Sequence, residues 1–258
     1  MKRKGFTLVE LLVVIAIIAL LMSILMPALA RVRELANRTV CGTNCRGIVN
    51  AMLVYANDNT AQKFPCAGPP GTRWSETTDL ENGAATVAAS LYLLVRLDYT
   101  STKQFICKSD PIATQPFAPP DPTALWDFGD EPRKYCSYAY QMPYTYTLNG
   151  TDVSFPITPA SDPGMAVVAD RNPFRAPAGA NTREELAQGN SEAHNMEGQN
   201  VAYVDAHVEF TKTPDVGLDG DNIYTISGSY NHPDPVGSVA SVGDGPNGRW
   251  DSLVVTEP

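Results

Sequence analysis

The hydrophobic positions at the start of the chain form one long apolar segment. Every residue from Leu11 to Met22 is apolar, and low polarity continues to Ala30. Glu10 is the only charged residue between Phe6 and Ala30. About 20 apolar residues with a helical rise of about 1.5 Å each cross a bilayer core of about 30 Å. The sequence has no second run of this length, so the pattern predicts a single membrane-crossing helix.

Apolar residues then recur at helical spacing beyond Pro27. They are Val32, Leu35, Ala36, Ile48, Val49, Met52, Leu53 and Ala56. Spacings of three and four residues are typical of an amphipathic helix. We therefore expect one helix from about Phe6 to Asn57, bent at Pro27, whose later apolar face packs against a globular head.

The rest of the chain predicts a head of mixed structure. A second helix is expected over Ala84–Leu97, and strands or hairpins within Lys134–Leu148, Met165–Ala169 and Asn200–Phe210. The chain also contains 19 Gly and 21 Pro, which favour loops. The predicted fold class is α+β, with a long N-terminal helix packed on a small antiparallel sheet and long loops.

The charge of the chain is acidic and unevenly distributed. The formal net charge is −9, and Lys2, Arg3 and Lys4 supply three of the positive charges, so the remaining chain carries −12. Phosphate contacts need clustered basic side chains. We therefore expect no nucleic-acid partner.

The first residues combine several features at fixed spacing. A basic leader ends in Gly5, and Phe6-Thr7-Leu8-Val9-Glu10 opens the apolar run. This tract closely resembles the leader and helix start of type IV pilins and type II secretion pseudopilins. In that family a prepilin peptidase cleaves after the glycine, and the new N-terminal residue is methylated. The resemblance implies cleavage after Gly5 and methylation of Phe6.

Two other interpretations of the N-terminus compete with this one. The apolar run alone is compatible with a plain membrane anchor. Ala28-Leu29-Ala30 also fits the small-x-small cleavage pattern of a secretory signal peptide, although the apolar run exceeds the usual length of about 7–15 residues. Cleavage there would release a secreted binding module or enzyme.

The resemblance implies a division of the chain into four parts. Residues 1–5 are the leader, 6–30 the transmembrane assembly helix, 31–60 an amphipathic helix that enters the head, and 61–258 the extracytoplasmic head. The product would be a single-pass protein of the bacterial inner membrane, with its head in the periplasm or outside, that later joins a filament. The filament would belong to a type II secretion or a type IV pilus system.

The same resemblance implies partners and a role for one acid. The partners are copies of this chain, other pilin-like subunits, the prepilin peptidase and the inner-membrane assembly machinery. A carboxylate within a membrane is expensive and functional by default. The family pairs it with the free amine of a neighbouring subunit, so Glu10 would pair with the amine of Phe6. This structural role requires no catalytic residue and no cofactor.

Five cysteines are present: Cys41, Cys45, Cys66, Cys107 and Cys136. Cys41 and Cys45 lie one turn apart on the predicted helix, a spacing that rarely gives disulfide geometry. No histidine lies near them in sequence, so we expect no zinc site there. Among the head cysteines we predict a bridge between Cys107 and Cys136. Small buried residues without a bridge are an equally good interpretation.

A polar segment late in the chain resembles a second signature of pilin-like proteins. In that signature a histidine precedes Asp-Gly by about nine residues, and His-Val follows. Here His194 precedes Asp205 by a spacer one residue longer, Ala206 replaces the glycine, and His207-Val208 follows. We interpret the segment as a turn before a strand, held by polar side chains. The alternative is a metal site or acid–base pair built from the two histidines and Asp205.

An acidic loop provides the one ligand prediction. Asp215, Asp219, Asp221 and Asn222 surround Gly220, and oxygen ligands of this type suit Ca²⁺. The loop resembles the calcium-binding C-terminal loop of major pseudopilins. A solvated acidic loop without a metal is the alternative.

Overall fold

The elements of the fold follow the predicted order of a long helix and then a head. The computed structural model describes residues 8–144, 146–148, 151–153, 156–174, 189–226 and 254–255. Its α-helices are α1 (Leu8–Asp58) and α2 (Val87–Arg96). Its strands are β1 (Arg73–Trp74), β2 (Ala84–Ala85), β3 (Tyr138–Gln141), β4 (Tyr146–Leu148), β5 (Thr151–Val153), β6 (Ala166–Asp170), β7 (Gln199–Tyr203), β8 (Val208–Thr211) and β9 (Val254–Val255). Short 3₁₀ turns cover Leu80–Asn82, Thr102–Phe105, Pro122–Ala124, Pro132–Lys134, Ala193–Met196 and Leu218–Gly220.

Helix α1 confirms the predicted long helix over the described residues and ends one residue after the predicted end. It contains 51 residues and includes Pro27, which corresponds to a length of about 75 Å. Its buried residues all lie in its second half: Cys41, Cys45, Ile48, Val49, Ala51, Met52 and Ala56. The first half of the helix is therefore exposed, and the second half belongs to the core of the head.

The head is built on a five-stranded antiparallel sheet. Within the described residues its strand order is β8-β7-β6-β3-β9. Strands β4 and β5 form a separate antiparallel pair, and β1 and β2 a short parallel pair. Strands β6 and β7 are buried throughout, because α1 covers one face of the sheet and a cluster that includes Ile223 and Tyr224 packs against the other. The α+β class with a small antiparallel sheet is thus confirmed.

Helix α1 approaches the sheet closely at one glycine. A Cβ atom at Gly42 would lie 3.0 Å from Oδ1 of Asn200 and 3.5 Å from Cγ1 of Val208. These residues belong to β7 and β8, which both contact α1. The glycine that weakens the helix locally therefore allows it to lie against the sheet.

Helix α2 begins later than the sequence predicted. The predicted helix started at Ala84, but Ala84 and Ala85 pair with β1, and Thr86 caps α2 by accepting a hydrogen bond from Ala89 N–H. A threonine with extended backbone favours a helix N-terminus over a helix interior. Tyr92 of α2 then packs edge-to-face against Phe128 with ring centroids 5.0 Å apart.

Candidate functional site

The first half of α1 is an exposed apolar rod. An 18-residue window of α1 near the N-terminus has a mean hydropathy of 3.0, and 0% of it is buried within the protein. By length and composition α1 is the one helix of the described chain able to cross a membrane. Glu10 lies in its first turn. Gly5 and Phe6, the predicted processing residues, lie outside the described residues.

A buried polar cluster joins the helix to the head just beyond this rod. We call Glu34, Cys41, Cys107, Asp170 and His194 the junction cluster. Glu34 and Cys41 belong to α1, Asp170 ends β6, and His194 lies in the turn before β7. The imidazole Nδ1 of His194 lies 2.6 Å from Oε1 of Glu34, although the two residues are 160 positions apart.

Both sides of the His194 ring meet a carboxylate. Nε2 lies 3.3 Å from Oδ2 of Asp170, and the side chains of His194 and Asp170 are fully buried. Burial disfavours the imidazolium, but the hydrogen bond and charge of Asp170, followed by those of Glu34, outweigh it and raise the pKa of His194. The ring of His194 therefore links Glu34 of α1 to Asp170 of β6 and offsets the negative charge of the two carboxylates.

Glu34 is held by more than the histidine. Ser109 donates a 2.7 Å hydrogen bond to Oε2 of Glu34. Partial burial raises the pKa of Glu34, but the hydrogen bonds from Ser109 and His194 and the charge of Arg38 outweigh it, so the net change lowers the pKa. Arg38 lies one turn further along α1, where its guanidinium stacks over Phe210 at 4.4 Å.

The backbone around His194 adopts an uncommon conformation. His194, Asn195 and Met196 have φ angles of 56°, 58° and 58°. Three consecutive left-handed residues without glycine are costly, and such strain persists only where surrounding contacts fix it. The fixing contacts include those of His194 with Glu34 and Asp170 and its edge-to-face contact with Phe210. Asn190 also donates a hydrogen bond to the carbonyl of Met196.

The predicted bridge between Cys107 and Cys136 is wrong. Cys107 is bonded to Cys41, with Cα atoms 5.3 Å apart and a sequence separation of 66 residues. Helix α1 lies against the segment that carries Cys107, which brings a helix cysteine and a head cysteine within bonding distance. Cys45, Cys66 and Cys136 remain thiols. Burial, followed by the nearby charge of Asp170, raises the pKa of the Cys45 thiol well above its usual value.

The segment from His194 to Val208 separates into two unrelated environments. His194 belongs to the junction cluster, while Asp205, Ala206 and His207 form the turn between β7 and β8. The backbone N–H of His207 donates a 3.0 Å hydrogen bond to Oδ1 of Asp205. The interpretation as a turn held by polar side chains is confirmed, since Ala206 has a φ of 65°, the conformation that favours the glycine it replaces.

The acidic loop predicted to bind calcium is only partly assembled. Asp215 and Asn222 form an isolated bridge, and Asp221 is fully buried. The side-chain oxygen of Asn222 already accepts a 2.9 Å hydrogen bond from Tyr224 N–H, whereas Oδ1 of Asp215 is buried and accepts none. Desolvation by burial raises the pKa of Asp215. Calcium binding at Asp215, Asp219, Asp221 and Asn222 stays a prediction.

Comparison with known proteins identifies the start of the chain. The sequence model of one family, described as the prokaryotic N-terminal methylation motif, matches residues 1–26. A curated relative, the type IV wide pilus major component PilA4 of Thermus thermophilus, is 47% identical over 58 residues. That match covers 22% of this chain, and the chain spans about 44% of the length of the relative.

No solved structure matches the chain. The motif at residues 1–26 lies where the leader and the apolar rod begin, and the pilin relative agrees with it. The two findings together show that the start of the chain is similar to type IV pilins.

Proposed function

We propose that this chain is a structural subunit that assembles into a filament through the first half of α1. The carrying observation is the exposed apolar rod. Its window with a mean hydropathy of 3.0 is 0% buried by the described part of the chain. Such a surface is stable only in a bilayer or against other apolar surfaces. Insertion in the membrane before assembly and burial among neighbouring helices after it satisfy both requirements.

Processing would prepare the rod for assembly. The methylation motif covers residues 1–26, which supports removal of the basic leader after Gly5 by a prepilin peptidase and methylation of Phe6. Cleavage would remove three positive charges that oppose movement out of the membrane. The amine of Phe6 would then pair with Glu10 of a neighbouring subunit and set the axial register between rods.

The role proposed for the head is to cover the filament and to select partners. The remaining chain after leader removal is acidic, with a net charge of −12 when the three leader charges are subtracted. Like charges keep such surfaces apart in solution. The apolar rods would then supply the attraction that holds subunits together, which requires no catalytic group.

The N-terminus of the mature protein tests this proposal directly. Mass spectrometry and N-terminal sequencing of the native product should find a chain that starts at N-methylated Phe6. A mature chain that starts at Arg31 would instead establish signal-peptide cleavage after Ala30, with release of a secreted head. Retention of Met1 in all of the product would indicate that the apolar run is a plain membrane anchor.

Substitution of Glu10 tests assembly apart from processing. Glu10→Gln removes the charge and keeps the shape, so filament incorporation should fall at least tenfold while membrane insertion and cleavage continue. Ser23→Ala is the matched control, because the Ser23 hydroxyl donates to the Leu20 carbonyl within the same helix. Normal incorporation of Glu10→Gln would refute the proposed register.

A strain that lacks this chain tests whether the filament belongs to a type IV pilus or to a type II secretion system. The curated relative is a pilus component, whereas the late histidine signature is similar to secretion-related pilins. Loss of surface filaments upon deletion would assign the chain to a type IV pilus. Accumulation of exported proteins in the periplasm, with surface filaments unchanged, would assign it to type II secretion.

A further inference from the structure

Three side chains with metal-ligating atoms converge inside the junction cluster. The Sγ atoms of Cys41 and Cys107 and a ring nitrogen of His194 all lie within 4.8 Å of one another, and all three residues are buried. They are the one such group of three among the described His, Cys, Asp and Glu side chains. Two sulfurs and one imidazole nitrogen form a soft ligand set that suits zinc.

The spacing of these atoms fits a tetrahedral ion. Zinc binds cysteine sulfur at about 2.3 Å and histidine nitrogen at about 2.0–2.1 Å, which places the two ligand atoms about 3.6 Å apart at a tetrahedral angle. Nε2 of His194 lies 3.5 Å from Sγ of Cys107. The histidine therefore already has the distance from this sulfur that a shared zinc ion requires.

The histidine also has the support that metal-bound histidines need. A ligating imidazole normally donates its second ring N–H to a carboxylate, which fixes the tautomer and the ring orientation. Nδ1 of His194 lies 2.6 Å from Oε1 of Glu34, which leaves Nε2 as the ligating nitrogen. Nε2 lies 3.5 Å from Sγ of Cys107, and it would exchange its present contacts with Asp170 and Asn200 for the metal. The carboxylate–histidine pair is in place without the metal.

A second observation concerns a buried carboxylate oxygen beside the same ring. Oδ1 of Asp170 is buried and accepts no hydrogen bond within the described structure, while Oδ2 lies 3.3 Å from Nε2 of His194. An uncompensated oxygen of a fully buried carboxylate is costly. A cation held at the cysteines and His194 would lie next to this carboxylate and would offset the cost.

We propose that Cys41, Cys107 and His194 form a zinc site when the Cys41–Cys107 disulfide is reduced. An external dithiol supplies two electrons and two protons, becomes a disulfide itself, and converts the bridge into two thiols. Zn²⁺ then displaces the two thiol protons and forms two Zn–S bonds and one Zn–N bond at Nε2. Transfer of two electrons from the two thiolates to an external disulfide, which takes up two protons and leaves as two thiols, restores the S–S bond and releases the ion.

The disulfide and the zinc ion would be alternative links between α1 and the head. Both connect α1 to the head at Cys41, the disulfide in the oxidising extracytoplasmic space and zinc in chains that are still reduced. The inference does not depend on filament assembly, because every residue in it lies within one chain.

Cobalt binding to the full-length protein in detergent tests the site. After reduction with a phosphine and removal of the reductant without oxygen, one Co²⁺ per chain should bind with thiolate-to-metal charge-transfer absorption. Zn²⁺ should displace it, and two thiols should become protected from alkylation. The oxidised protein should show none of these signals.

Variants separate this site from the other thiols. Cys107→Ser should weaken Zn²⁺ binding at least 100-fold, whereas Cys45→Ser, a buried thiol one turn from Cys41, should leave the affinity unchanged. Glu34→Gln should weaken binding about 10–100-fold through loss of support for the histidine. This graded effect would distinguish a ligand-supporting residue from a purely structural one.

Two outcomes would overturn the inference. The first is a reduced, folded wild-type chain that gives no charge-transfer signal with excess Co²⁺. The second is full affinity in Cys107→Ser, which would place the metal on other thiols. A chain that unfolds upon reduction and refolds with Zn²⁺ would support the site, and one that Zn²⁺ fails to refold would refute it.

Discussion

The two halves of α1 share one helix but lie in opposite environments. Ile18 in the first half is 46% exposed, whereas Ile48 in the second half is 0% exposed. The first half is apolar all round, and the second presents apolar residues on the face that meets β6, β7 and β8. The first half therefore needs an outside partner, while the second is already part of a folded core.

Side-chain contacts and a disulfide, as well as burial, mark the boundary between the two halves of α1. In the described structure the contacts of α1 with distant parts of the head begin at Glu34, which meets His194 and Ser109. Asn37 then meets Ser109, and Arg38 meets Phe210. Cys41 follows with the disulfide to Cys107. A change from uniform to one-sided hydrophobicity in a continuous helix thus coincides with the point at which tertiary contacts begin.

The largest expected effect comes from equal truncations in the two halves. Ile48→Ala should lower the free energy of unfolding of the head by about 2–5 kcal/mol, because it creates a cavity in a packed core. Ile18→Ala should change it by less than about 0.5 kcal/mol. Denaturant unfolding in detergent, followed by tryptophan fluorescence, measures both. Equal losses in the two variants would contradict the division of the helix.

Loss of the disulfide should have the second-largest effect on the stability of the protein. Cys41→Ser opens a loop of 66 residues and should cost about 2–4 kcal/mol of stability. Cys66→Ser removes an exposed thiol from the head and provides the control. Thermal unfolding of both variants, without reductant, measures the difference. A Cys41→Ser chain as stable as the control would show that packing alone holds the helix to the head.

The charged contact at the boundary should contribute less. Glu34→Gln removes the carboxylate that faces the buried His194 and should cost about 1–3 kcal/mol. The control is Glu197→Gln, because Glu197 pairs with Arg38 but its side chain is 61% exposed, and exposed pairs contribute about 0–1 kcal/mol. Chemical unfolding at neutral pH compares the two. A larger loss of stability for Glu197→Gln than for Glu34→Gln would contradict this prediction.

The smallest expected effect has the opposite sign. Ala206→Gly should stabilise the head by about 0.5–1 kcal/mol, since Ala206 has a φ of 65° in the turn that joins the two strands beneath α1. Ala36→Gly, at an exposed helical position of α1, should instead cost about 1 kcal/mol of helix stability. Melting temperatures of the two single variants should shift in opposite directions.

Local patterns predicted the helix and the strands, because their signals lie within a few neighbouring residues. The apolar run and the spacing of Ile48 and Met52 were sufficient to predict α1 and to place its end within one residue. The turn at Ala206 was also visible, since the alanine stands where the similar signature has glycine.

Long-range contacts were beyond the sequence pattern. The bond between Cys41 and Cys107 depends on how α1 docks across the head, and spacing alone suggested Cys136. The contact between Glu34 and His194 joins residues 160 positions apart. Nothing in either local sequence distinguishes Glu34 from a solvated helix residue, so the junction cluster required the fold.

The bond between Cys41 and Cys107 also decides how a pulled subunit would carry tension. Force applied to the head and resisted at the N-terminal rod can pass from one to the other through a covalent link at Cys41. The 66-residue stretch between the bonded cysteines, which includes the buried part of α1, is then relieved of that strain. The strands of the five-stranded sheet all follow Cys107, so they lie outside this protected stretch and would bear whatever tension reaches the rest of the head.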